Sequence, residues 1–325
     1  VSLLSDALGG YIGLELPDNN DFWLSKALKF NSARAAFASL VEQIEARSVW
    51  LPRYLCDTMS AILSGRGVEL KFYDLTERFE IKEHLRVDEG SIILFVNYFG
   101  VCSQQAQDVI DKYGADSAVI DNSQALFDEP FDALATIYSP RKFFGLPDGG
   151  LLFSDDPRIK QSEFRDTTSE SRMGYLISRI TESPEAAYQK YQDAEKAICD
   201  LPVQGMSRLT EKLLRSVNYD AARVARTRNA QYLERKLREY NKLSLDIGDI
   251  TAPLCYPFLP NVSAAKRAEL IANRVFLPSY WPEVLTRVEE ESFEWELVTN
   301  GLFLPCDQRY TEEDMERLVS LLAIK

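Results

Sequence analysis

From Val49 to Phe153 short apolar runs alternate with helix-forming stretches, and that alternation constrains the fold more than any other feature of the chain. Val49-Trp50-Leu51 is followed by a helical pattern around Asp57 to Leu63, then by Val68-Glu69-Leu70-Lys71-Phe72-Tyr73. Ile92 to Val96 gives way to Gln104 to Tyr113, and that to Ala118-Val119-Ile120. Strands separated by helices run parallel, because each crossover returns the chain to the same edge. The expected fold class is therefore α/β, a mainly parallel sheet sandwiched by helices. Ser32 is a good N-cap for a helix reaching about Ala46, with Ala36, Phe37, Leu40, Val41 and Ile44 on one face. Ahead of it, Gly9 to Pro17 reads as a short strand ending at a proline.

After Phe153 the pattern changes. Arg158 to Cys199 is charged and helical in character, with breaks at Pro184 and Pro202. Leu209 to Tyr240 is a long helical stretch rich in Arg, Glu and Leu, with Asn218 and Asn229 as mild interruptions. Its length suits a link between two lobes or a dimer contact; a solvated face explains its charges more simply. Thr251 to Lys325 alternates Pro-bounded short strands with helices near Ala264 to Asn273 and Thr311 to Ala323, a small α+β unit. The expected division is a large domain over 1–200, N-terminal strand included, and a long helix with a small C-terminal domain over 201–325.

Charge and cysteine usage narrow the function classes. The formal net charge of −13 argues against nucleic acid or an anionic membrane as partner. The five cysteines, Cys56, Cys102, Cys199, Cys255 and Cys306, are scattered without a Cys-x-x-Cys, so neither a disulfide framework nor a zinc site is expected. No signal peptide and no apolar stretch of membrane length is visible, so a reduced, cytoplasmic, soluble protein is expected. The single histidine, His84, lies in the charged run Ile81 to Arg86 and is expected to face solvent. That disfavours Ser-His-Asp hydrolysis and multi-histidine metal sites.

One lysine stands out by its surroundings. Ala133 to Tyr138 is a short apolar run; Ser139-Pro140-Arg141-Lys142 follows, then the turn Phe143 to Gly150, then the apolar Leu151-Leu152-Phe153. This order places Lys142 at the mouth of a sheet, between two strands and before a backbone able to turn sharply. A lysine kept from bulk water near other cations loses its proton more easily, as Schiff-base formation requires. A surface lysine on a loop fits this segment equally well. Upstream, the run Ala118-Val119-Ile120 ends in Asp121, with Gln124 three residues on. Ligands of α/β sheets gather beyond strand C-termini. An acid there suits the pyridine nitrogen of pyridoxal phosphate (PLP), with Gln124 for the ring oxygen; a helix cap for Asp121 and an ordinary loop amide for Gln124 remain open.

These segments together resemble the fold-type-I PLP enzymes, and more narrowly the sugar aminotransferases of the DegT/DnrJ/EryC1/StrS group. The matching residues are Asp121-x-x-Gln124 and Ser139-Pro140-Arg141-Lys142-Phe143-Phe144-Gly145. Asn31-Ser32-Ala33-Arg34 is similar to that family's phosphate turn, Leu51-Pro52-Arg53-Tyr54 to the loop beside the cofactor, and Val96-Asn97-Tyr98-Phe99-Gly100 to a strand ending usually His-x-x-Gly. Leu277 to Pro282, Leu302 to Pro305 and Thr311-Glu312-Glu313 are similar to the small-domain strands and last helix.

The resemblance implies a homodimer that moves an amino group from glutamate to a keto-sugar, carried or not on a nucleotide. Another PLP reaction on a sugar, or a non-catalytic PLP-fold protein, are the alternatives. In the aminotransferase reading Lys142 is the Schiff-base lysine and the base at the substrate carbon. Asp121 and Gln124 hold the ring; Ser32, Ala33, Arg34 and Ser139 hold the phosphate; Tyr54 stacks on the ring or is an ordinary core aromatic. Arg141 meets an anionic group or lowers the lysine pKa, as does Arg34, and Tyr280 and Trp281 shape the entrance, or else pack. The chain departs from the family at Cys56, where a stacking aromatic is usual, at Ala33 for a glycine, and at Asn97 for a histidine. The family's Asn-x-Arg-Met loop toward the partner subunit survives as Arg172-Met173, with Glu170 in place of the Asn.

Overall fold

The computed structural model describes residues 8, 10–19, 26–245, 247, 250–260 and 265–323. In chain order its elements are β1 (Leu28–Phe30), α1 (Ala33–Gln43), β2 (Ser48–Pro52), α2 (Asp57–Ala61), β3 (Glu69–Tyr73), β4 (Ser91–Val96), α3 (Ser103–Tyr113), β5 (Ala118–Asp121), β6 (Ala135–Tyr138) and β7 (Gly150–Phe153). There follow α4 (Gly174–Thr181), α5 (Pro184–Cys199), α6 (Arg208–Arg215), α7 (Tyr219–Leu237), β8 (Tyr256–Phe258), α8 (Ala265–Ala272), α9 (Phe293–Asn300), β9 (Leu302–Leu304) and α10 (Glu312–Leu322).

The seven strands of the main sheet lie in the order β1-β7-β6-β5-β4-β2-β3. From β3 across to β6 every pairing is parallel, whereas β7 runs antiparallel to both β6 and β1. The central strands β4 and β5 are buried along their whole length, which is why their sequences are unbroken apolar runs rather than alternating ones. Phe37, Leu40, Val41, Ile93, Phe95 and Ile120 belong to the core built on this sheet. A smaller core joins the antiparallel β8–β9 pair to α7 and α10 through Leu233, Tyr256, Leu304, Met315 and Leu318.

The sequence-derived boundaries differ from the structure where tertiary context decides. Residues 10–17 form no strand, and Tyr11, Ile12 and Leu14 are exposed; Gly9 lies outside the described residues. The edge position beside β7 is taken by Leu28–Phe30 instead. Between Arg158 and Cys199 regular α-helix begins only at Gly174. The stretch Leu209 to Tyr240 is two helices, because Asn218 accepts from the Ala221 N–H at 3.0 Å and starts α7 afresh. Asn229 does not interrupt α7; its buried amide donates to the Asp307 and Tyr310 carbonyls. Leu277 to Pro282 is not a strand but leads, through Trp281 at φ 61°, into the short turn Pro282–Thr286.

Candidate active site

The parallel ladder brings the candidate residues to one edge of the sheet. Val96 at the end of β4 pairs with Asp121 at the end of β5, and Asp121 with Ile137 in β6. The Asn97 N–H donates to the Asp121 carbonyl (3.1 Å), and the Asn122 N–H to the Ile137 carbonyl (2.8 Å). Two residues past Ile137 the chain leaves β6 at Ser139 and turns through Pro140–Lys142, with the Lys142 N–H on the Ser139 carbonyl at 3.1 Å. Strands stand about 4.8 Å apart, so Asp121, Gln124, Ser139 and the lysine turn gather at the C-terminal edge where α/β sheets take ligands.

The N-terminus of α1 reaches the same edge. Ser32 caps it, its hydroxyl accepting the Ala35 N–H at 3.1 Å, while Gly149 donates its N–H to the Asn31 carbonyl at 2.9 Å. Gly150 passes so close that a Cβ there would lie 2.2 Å from the Ser32 carbonyl oxygen and 2.3 Å from the Ala33 nitrogen. Only glycine lets β7 come this near the start of the helix, whose free N–H groups and dipole favour an anion. Ser32 is thus a helix cap, and that role is compatible with a phosphate on the neighbouring N–H groups.

Asp121 is 5% exposed, and one of its carboxylate oxygens accepts the Ser123 N–H at 2.8 Å. Gln124 Oε1 accepts the Phe99 N–H at 2.7 Å, which holds Phe99 in a left-handed conformation at φ 58°. Its Nε2 is buried and has no partner among the described residues. A buried amide donor left unpaired is costly unless a ligand completes it. That donor, the acid at the strand end, the helix N-terminus and the lysine turn fit the ring oxygen, ring nitrogen, phosphate and aldehyde of PLP.

Several other expected residues are engaged elsewhere. Lys142 is exposed in the single chain, not withdrawn from water. The two suspected cations are both committed: Arg34 donates to the Ile198 carbonyl at 3.0 Å, and Arg141 pairs with Glu195 of α5. Tyr54 is wholly buried, its ring tilted against Tyr98 and edge-on to Trp281 at 5.0 Å. Tyr280 and Trp281 are half-buried in that aromatic cluster, with Tyr280 also packed against Phe99 and Phe303. Cys56 is half-buried, its sulfur 3.1 Å from the Thr58 hydroxyl. His84 is exposed, as its charged neighbourhood suggests.

Arg172 is not on a loop reaching outward; it is 3% exposed and fully used inside the chain. Its guanidinium pairs with Asp148 (3.0 Å) and with Asp166, and donates to the Thr168 hydroxyl at 2.8 Å. Burial pushes the Asp148 carboxyl up to about 6, and the neighbouring Asp166 adds to the rise. Asp166, although burial works to raise it, is held below the usual carboxylate range by Thr168 and Arg172. This triad pins the turn between Lys142 and Gly150 to the segment before α4. Single residues in a sequence carry no sign of such a pairing, since its members are remote from one another.

Two further supports were not legible beforehand. Arg226 of α7 lies over the Phe143 ring at 4.5 Å and donates to the Pro253 carbonyl at 3.0 Å, while Gln308 donates to the Phe143 carbonyl at 2.9 Å. The residue after Lys142 is therefore clamped by α7 and by the segment that follows β9. Asn97, where a histidine is usual in the resembling family, donates to Ser103, Asn122 and Asp128 (3.1, 3.2 and 2.9 Å). Burial raises the Asp128 carboxyl, against the hydrogen bonds from Ser103 and Asn97. This network braces the loop from Asp121 to Asp128. A cavity of about 930 Å³ lined by Lys26, Phe127, Glu129 and Arg223, and one of about 370 Å³ lined by Phe276, Tyr310 and Arg317, include none of Asp121, Gln124, Ser139 or Lys142.

No protein-family model matches the chain, and no curated protein matches it in sequence. Solved structures match it in fold. A DegT DnrJ EryC1 StrS aminotransferase from Brucella abortus is similar at 14% identity and TM-score 0.60, over 91% of this chain and 85% of that one. NtdA from Bacillus subtilis with bound cofactor PMP gives 14% and 0.62, over 91% and 72%. Helicobacter pylori PseC, an aminotransferase involved in the biosynthesis of pseudoaminic acid, gives 13% and 0.58, over 91% and 85%. The order of the seven strands, the antiparallel β7 and the small second sheet give this chain the fold of the DegT/DnrJ/EryC1/StrS aminotransferases.

Proposed function

We propose that the chain is a PLP-dependent aminotransferase that moves an amino group from glutamate to a keto-sugar, free or nucleotide-linked. The observation that carries this reading is the unpartnered, buried Nε2 of Gln124 beside Asp121, on the sheet edge that also bears the lysine turn and the α1 N-terminus. When bound, the cofactor supplies the electron sink that stabilises negative charge at the substrate carbon. Asp121 keeps a proton on the ring nitrogen, and Gln124 donates to the ring oxygen. Ser32, Ala33 and Ser139 offer N–H and hydroxyl donors to the phosphate. Lys142 takes the proton from the amino-bearing carbon of glutamate and later delivers one to the sugar carbon. The structural neighbours named above, one with bound PMP, support the cofactor choice.

Lys142 is open to water in the single chain, and a second copy covering that edge is the arrangement the reading requires; a homodimer is part of the proposal. Five free thiols suit a reducing compartment, which we take to be the cytoplasm. Among the described residues no helix is long and apolar enough to cross a membrane.

Cys56 in place of a stacking aromatic, and Arg34 and Arg141 both engaged within the chain, favour a second reading: a PLP-fold protein that no longer catalyses. Turnover separates the two. Purified protein supplied with PLP, glutamate and a panel of keto-sugars forms 2-oxoglutarate in proportion to aminated sugar if the first reading holds. Cofactor retention with no 2-oxoglutarate from any sugar supports the second.

A further inference from the structure

Arg141 stands one residue before Lys142 in the same turn, and its side chain is only 17% exposed. Its Nη2 donates to Glu195 Oε1, and Nη1 lies 3.4 Å from Oε2. Nε is buried and has no acceptor among the described residues. Tyr175 of α4, whose hydroxyl donates to the Leu146 carbonyl at 3.3 Å, and Tyr191 of α5 flank this pair, and the guanidinium's charge acts on both phenols. Their rings pack edge to face with centroids 5.4 Å apart. An arginine fork backed by phenols is the chemistry by which proteins hold a carboxylate.

The two partners of this pair are unequal. The Glu195 side chain is 35% exposed and sits on α5, whose buried residues are few: Ala187, Ala194 and Ile198. A change of rotamer returns its carboxylate to water. The guanidinium has no such exit, and a buried cation left unpaired is costly until another anion arrives. The arrangement is a fixed receptor with a removable occupant.

We propose that Arg141, with Tyr175 and Tyr191, forms a carboxylate subsite on the flank of the lysine turn, and that Glu195 is an internal occupant displaced by an incoming acidic small molecule. The inference rests on the aminotransferase reading for its biological sense: the carboxylate belongs either to the amino donor or to an acidic sugar. A tethered competitor lowers apparent affinity by the fraction of time it leaves the receptor open. Such a subsite responds to a plentiful acid and stays closed otherwise.

The test is calorimetric titration of the full chain with glutarate, L-glutamate and glucuronate, comparing wild type with Glu195→Gln and with Glu195→Gln/Arg141→Gln. The expected result is binding of at least one acid about tenfold tighter in Glu195→Gln, a gain the double variant loses. A gain for glutarate and glutamate alone assigns the subsite to the amino donor; a gain for glucuronate alone assigns it to the sugar. Unchanged affinity for all three acids, in a Glu195→Gln protein with a wild-type circular dichroism melt, overturns the proposal. Glu195→Ala serves the same comparison where the glutamine variant does not fold. PLP retention after desalting is measured on the same samples. Tighter acid binding without retained cofactor contradicts the aminotransferase reading alone, and retained cofactor without tighter acid binding contradicts the subsite alone.

Discussion

Arg172 shows how a residue that resembles a functional one in sequence can do structural work. Its charge is buried between Asp148 and Asp166, and removing one partner of such a group leaves the others uncompensated. Arg172→Met is therefore expected to cost about 3–5 kcal/mol in urea denaturation. Asp148 also sets a pH dependence. Its carboxyl is raised in the folded chain to about 6, so the proton it keeps favours folding below the unfolded value, and that contribution is lost as pH rises through the folded value. Asp166 titrates below this window. Wild type is expected to lose stability relative to Asp148→Asn as pH rises from about 4 to about 6, read from thermal melts across that range; a constant difference between the two proteins contradicts it. Gly150→Ala puts a methyl group into the Ser32 and Ala33 backbone, which cannot turn aside as a side chain would. The loss is expected at the upper end of about 1–3 kcal/mol, with weaker retention of PLP.

At the scale of elements, α7 is the one whose role the sequence conceals. Its charges read as a solvated face, yet Arg226 is buried, and burial lowers its pKa; the guanidinium stacks on Phe143 and meets the Pro253 carbonyl. Arg226→Leu is expected to destabilise the chain by about 3 kcal/mol and to loosen the lysine turn, seen as faster amide exchange at Phe143 and Phe144. Exchange unchanged at those two residues contradicts a clamping role. The central strands β4 and β5 were legible because each is a buried apolar run, and the edge strand β3 because its apolar and charged residues alternate. In the long stretch ending at Tyr240, Asn218 was legible as a mild interruption but not as the cap that starts a separate helix. The expected strand at Gly9 to Pro17 forms no pairing over residues 10–17, and Leu28–Phe30 takes the position beside β7. Leu277 to Pro282 is no strand either: its aromatic side chains are drawn into the cluster around Tyr54 and Phe99.

For the molecule as a whole, the fold was readable, and so was the gathering of Asp121, Gln124, Ser139 and Lys142 at one sheet edge; the contacts of the other candidate residues were not. Asp121, Gln124, Ser139 and Lys142 carry their meaning in spacing along the chain, because strand ends in a parallel sheet converge on one edge. Arg34, Arg141 and Tyr54 were assigned by position in a motif, and the structure shows each engaged with a partner far away in sequence: Ile198, Glu195 and Trp281. Long-range pairing is the information that local pattern lacks. The central claim is that this edge holds PLP on Lys142. Its most direct test is the visible spectrum of the chain after PLP addition and desalting, with Lys142→Ala beside it. The account predicts a retained yellow chromophore that borohydride attaches permanently to wild type and not to the variant; a wild-type protein left colourless, or a variant labelled equally, would contradict it.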